Sequence, residues 1–176
     1  MSVVQAASVC GPRRRPRVLV AGAGNWLLAH DRAGGRVLEL LERRYGEEVE
    51  LVDIGCGALA LLDHVDRQRL LVVVDACVGR GRPGEVVVET VDLDAAGADY
   101  IGLHQIGPVE ALAVARHLQP EKMPGRVVLV LVETGALAEA EERLACERAV
   151  EEVDRLVEGA LTAPRGRQGS ARGEGG

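Results

Sequence analysis

The hydrophobic positions of the chain fall into two alternating kinds of run. Five short, almost continuous stretches have the length and the Val, Leu and Ile content of β-strands: "RVLVAGAG" (17–24), "EVELVDIG" (48–55), "RLLVVVDACVG" (69–79), "GEVVVETVDL" (84–93) and "RVVLVLVET" (126–134). The third is apolar at every position from Leu70 to Val74, so both faces of that strand must be covered. Elsewhere apolar residues recur at three- and four-residue spacing. This predicts helices over "GGRVLELLERRYG" (34–46), with Gly46 as the stop, over "VEALAVARHL" (109–118), and over the long "LAEAEERLACERAVEEVDRLVEGAL" (137–161). "ALALLDHVDR" (58–67) predicts a short helix, and "RGRPG" (80–84) a turn between antiparallel neighbours.

Strands that alternate with helices at this spacing predict a single three-layer α/β/α domain. Its five-stranded twisted sheet is mainly parallel, with one antiparallel strand. Residues 1–16 read as a mobile basic leader, 17–161 as the domain, and "TAPRGRQGSARGEGG" (162–176) as a disordered tail with nothing to bury. A chain of 176 residues can bury a core without disulfides or a structural metal. Phe is absent and aromatic residues make up only 2%, so that core must be Val, Leu, Ile and Ala. Lys122 is the only lysine, an Arg bias from which no function follows. The net charge of −6, without a long basic face, argues against nucleic acid as a partner. The N-terminal arginines follow a weak apolar stretch, the reverse of a secretory signal, and no apolar run is long enough to span a bilayer. The expectation is a cytoplasmic protein with no membrane insertion. Cys10, Cys56, Cys77 and Cys146 are scattered, which predicts reduced thiols and no zinc knuckle.

In a mainly parallel sheet, ligands bind where the carboxyl ends of the strands open into a crevice. Three polar residues follow strand ends: Asp31 after the first, Asp75 at the end of the third, and His104 in "YIGLHQIG" just before a helix. Two carboxylates and an imidazole make a coherent site for a divalent first-row metal. Each residue alone also has an ordinary role. Asp31 suits a helix N-terminus, Asp75 can accept from loop amides, and His104 can be a satisfied loop histidine. The turn Gly22-Ala23-Gly24 raises a competing possibility, a dinucleotide site with Asp53 as the ribose acid. A full fingerprint needs a third glycine, and Leu27 occupies that place.

With their surroundings, these residues make the sequence resemble the hydrogenase maturation proteases, endopeptidases that process the large subunit of nickel-iron hydrogenases. The family opens with a strand, Gly-x-Gly-Asn, a few apolar residues, an acidic pair and a Gly-rich helix start; "VAGAGNWLLAHDRAGGRV" follows that order. "VDIGCGALALL", "LLVVVDACVGRGRPGEV" and "LHQIGPVEALAVARHL" match the next three blocks, and together the four cover about residues 17 to 160. The resemblance implies a phosphorylase/hydrolase-like fold and an activity classed by convention with the aspartic-type endopeptidases. It also implies a substrate, the large-subunit precursor, that brings its own nickel. Asp31, Asp75 and His104 stand at the family's metal-ligand positions. Nickel held by them is checked before a C-terminal extension is removed, and a metal beside the scissile amide can polarise its carbonyl or activate water.

The chain departs from the family pattern at several places. His30 takes the first place of the acidic pair, Arg32 a place where a small residue is common, and Ile54 and Cys56 the Gly and Thr of the second block. The segment "VETGALAEAEERLACERAV" lacks the usual Pro-containing turn after the fifth strand. Two alternatives therefore stand beside the endopeptidase: a non-catalytic nickel- or partner-binding module of the same fold, and a dinucleotide-dependent oxidoreductase using Gly22, Gly24 and Asp53.

Overall fold

The five apolar runs form one sheet in the computed structural model, which describes residues 15–95 and 107–164. The strands are β1 (Val18–Ala23), β2 (Val49–Gly55), β3 (Leu70–Cys77), β4 (Val86–Val91) and β5 (Val127–Glu133). They lie in the order β2-β1-β3-β5-β4; β1 is parallel to β2 and β3, β5 is parallel to β3, and β4 alone runs antiparallel, against β5. Side chains alternate across the sheet, and each face has its own core. Val18, Val20, Val72 and Val130 pack under helices α1 (Ala33–Leu41) and α3 (Glu139–Thr162). On the other face Leu19, Ala21, Leu71 and Val73 pack with Leu112 of helix α2 (Pro108–Leu118) and Leu61 of a 3-10 turn, Ala58–Asp63. The three-layer architecture is the expected one, built on a core that is aliphatic apart from the buried Cys146, with Tyr45 and Met123 packed at its margins.

Three local expectations need correction. Helix α1 ends at Leu41 and not at Gly46: Glu42 is extended (ψ 134°) and Arg43 has φ 64°, so the helical path is already broken. The residues after "GCG" form a 3-10 turn, not an α-helix. Arg80–Gly84 does not join neighbouring strands, because β5 lies between β3 and β4. It instead crosses the end of β5, where the buried Glu133 carboxylate accepts from the backbone N–H groups of Arg80 (2.8 Å) and Gly81 (3.3 Å). Burial works to raise the Glu133 pKa, but the amides of Arg80, Gly79, Gly135 and Gly81 outweigh it and hold the carboxyl below its usual range. Among the described residues no helix is long and apolar enough to cross a membrane. Most of the leader, most of the tail, Cys10 and His104 lie outside the described residues.

Candidate functional site

Strand order fixes where a crevice can open. The chain leaves β1 toward β2 on one side and continues from β3 on the other, so the switch point lies between the carboxyl ends of β1 and β3. A cavity of about 350 Å³ sits there, and Asp31, Asp75, Cys56 and Glu110 are among its lining residues.

Asp31 reaches this cavity from the loop between β1 and α1. It does not start the helix, which begins at Ala33. The loop is closed on itself: the Asn25 N–H donates to the Asp31 carbonyl (2.7 Å) and to its carboxylate (3.1 Å). The Asn25 side-chain oxygen accepts from the Leu27 N–H at 2.9 Å, an Asx turn. Gly24 makes the closure possible, since its φ is +125° and a Cβ there would lie 1.9 Å from the Asp31 carbonyl oxygen. Trp26 folds over Gly35 and donates its indole N–H to Asp53 at 2.8 Å. His30 is exposed on the same loop.

Asp75 arrives from the buried strand β3. Its carboxylate accepts from the Ala76 N–H at 2.8 Å. Burial, only partly offset by that bond and reinforced by the nearby charge of Asp31, pushes its pKa up to about 6. Among the described residues neither carboxylate has an ion-pair partner, and no three His, Cys, Asp or Glu side chains there form a metal-sized group. The structure thus brings Asp31 and Asp75 together. His104 lies outside the described residues, but Gly107, three positions on, lines the cavity. Two carboxyls side by side, both partly buried, are a chemical fit for a divalent cation or a proton.

The glycine turn serves packing and not phosphate. A Cβ on Gly22 would meet Gly34 O at 2.7 Å and the Leu38 side chain, and one on Gly34 would lie 2.2 Å from Ala23 O. These contacts let α1 press onto β1, while Asp53 is occupied by Trp26 and by the Gly55 N–H (2.8 Å). Cys56 is exposed, whereas burial pushes the Cys77 and Cys146 thiols up to about 11. A larger cleft, at the opposite edge of the sheet, is lined by Arg15, Arg17, Arg67 and Arg69. Arg17, Arg67 and Arg69 bind backbone carbonyls there.

Sequence reasoning passed over Glu110, in the first turn of α2, and Thr134, at the end of β5. The signal was available for Thr134: it is a polar residue at a strand exit, as Asp75 is. Its hydroxyl donates to the His30 carbonyl at 2.7 Å, and its N–H donates to the Cys77 carbonyl at 2.9 Å. Arg32 makes a two-pronged ion pair with the buried Glu142 of α3 (2.9 and 2.8 Å). The Arg32 hydrogen bonds hold the Glu142 carboxyl below its usual pKa.

The fold and this crevice define a single-sheet α/β protein with two acids side by side at the carboxyl edge of its sheet. The chain belongs to the hydrogenase maturation protease family, whose profile matches residues 35–163. It is 33% identical over 104 residues to the hydrogenase 2 maturation protease of Escherichia coli (57% of this chain, 63% of that protein). It is 37% identical over 111 residues to the hydrogenase expression/formation protein HupD of Thiocapsa roseopersicina (60% of this chain, 50% of that protein). These matches thus span between 50% and 63% of the relatives' length. Among solved structures, the hydrogenase maturating endopeptidase HybD from E. coli superposes with a TM-score of 0.67 at 29% identity, covering 81% of this chain and 93% of that one. The maturation protease HybD from Thermococcus kodakarensis, at 22% identity and a TM-score of 0.61, shares the fold.

Proposed function

We propose that this protein is a cytoplasmic endopeptidase that removes the C-terminal extension of the nickel-loaded large subunit of a nickel-iron hydrogenase, and that Asp31, Asp75 and His104 receive the substrate's nickel. One observation carries the reading: two carboxylates from separate elements share a crevice, unpaired among the described residues, in a chain of this family. An arriving divalent ion relieves both the burial of Asp75 and its repulsion from Asp31. Nickel, when bound, supplies a Lewis acid beside the scissile amide. The chain's own part is recognition: Asp31 is held in a closed loop and Asp75 at the end of a buried strand, so both are tied to the fold before a cation arrives. Free thiols at Cys56, Cys77 and Cys146 suit a reducing compartment.

The test is to incubate the purified protein with nickel-loaded and nickel-free precursor and follow the precursor's C-terminal mass. Loss of one defined peptide from the loaded form only, abolished by Asp31→Asn, is the expected result. Normal processing by Asp31→Asn would remove Asp31 from the site. Nickel binding without cleavage would instead support the non-catalytic module.

A further inference from the structure

We infer that Thr134 and the Arg32–Glu142 pair are positioning residues that hold Asp31 opposite Asp75 from both sides of the chain. The inference rests on reading Asp31 as a metal ligand, and it concerns how the chain keeps that ligand in place.

The two residues flanking Asp31 are tied to different places, one to Thr134 just after β5 and the other to Glu142 in the first turn of α3. On one side the His30 carbonyl accepts from the Thr134 hydroxyl at 2.7 Å. Thr134 is itself only 4% exposed, and its N–H is bonded to the carbonyl of Cys77, two residues beyond Asp75. One residue thus joins the loop of the first acid to the strand of the second. On the other side the Arg32 guanidinium grips the buried Glu142 through two parallel bonds, a geometry that fixes direction as well as distance. The loop's internal bonds, from Asn25 to Asp31, set its shape but not its place relative to β3. Bonds from Gly24 to Gly55 and from Trp26 to Asp53 tie the start of the loop to β2, and the ties at His30 and Arg32 place its end, where Asp31 lies.

Trp26 is the only tryptophan and lies inside the 24–31 loop, so its fluorescence reports loop order independently of catalysis. The experiment compares the full chain with Thr134→Val and Thr134→Ser. It reads acrylamide quenching of Trp26, the thermal midpoint, and kcat and KM on nickel-loaded precursor. Thr134→Val is expected to raise quenching and to lower kcat about tenfold, the equivalent of one hydrogen bond in the transition state, with KM little changed. Thr134→Ser restores both, because it keeps the hydroxyl. If Thr134→Val fails to fold, Arg32→Lys takes its place: it keeps the charge, loses the fork, and should give the same two changes. Wild-type quenching and kcat in the folded variant, or a serine variant as impaired as the valine one at an equal thermal midpoint, would overturn the inference. Normal processing by Asp31→Asn sinks the ligand reading instead, and Trp26 quenching still decides whether the ties hold the loop.

Discussion

Asp75 is a carboxyl held partly buried beside a second acid. A pKa of about 6, against an ordinary 3.8, means that the folded state holds its proton more tightly than the unfolded chain. The contribution to stability is then fully present below the unfolded value and is lost as pH rises through the folded one. Asp75→Asn keeps the shape and removes the charge. It is expected to be more stable than wild type by roughly 1–3 kcal/mol at pH 7.5 and equal to it near pH 4. Thermal melts of both chains at the two pH values check this; a difference that does not change with pH would mean that Asp75 is solvated. The proton also competes with a cation for the same oxygens, so metal uptake should weaken as pH falls through about 6.

At the scale of elements, the site depends on how closely α1 lies on the sheet. Gly34 sits where a Cβ would be 2.2 Å from Ala23 O and 2.6 Å from Val74 O, both backbone atoms that have nowhere to move. Gly34→Ala should therefore lift the start of α1, destabilise the fold by about 3 kcal/mol, and displace Asp31 with it. Urea unfolding and Trp26 quenching on the same variant test both halves; an unchanged midpoint would show that the helix start can shift freely. Gly22 and Gly24, at the end of β1 and just beyond it, were legible in the sequence as a tight exit. That they serve helix packing and loop closure, and not a phosphate, was not legible, because the same spacing suits either until the atoms facing each Cα are known.

At the scale of the molecule, one consequence separates this domain from the dinucleotide folds that share its layers. Asp53 is bonded to Trp26 and to the Gly55 N–H, and Leu27 stands where a third glycine would be needed. Titration with a nicotinamide dinucleotide should leave Trp26 emission unchanged to millimolar concentration; saturable quenching would reopen the oxidoreductase reading. The sheet also explains why the Arg80–Gly84 turn misled. A strand pattern marks which residues extend but not which strands neighbour one another. β5 pairs with both β3 and β4, and the loop that must then cross its end is collected by the Glu133 carboxylate.

By itself the sequence determined the number of strands, the layered class, the aliphatic core and the family pattern. Each of these is written in local periodicity or in the order of short motifs, and needs no knowledge of what lies across the sheet. It also marked Asp31 and Asp75 as polar groups at strand exits. Only the tertiary structure decided that the two share one crevice, that Asp75 is pressed toward its protonated form, and that Thr134 and Glu142, more than a hundred positions away, bond the two residues flanking Asp31. Those facts are distances between segments remote in sequence. They arise when the chain reverses at the switch point between β1 and β3, and no local pattern encodes them.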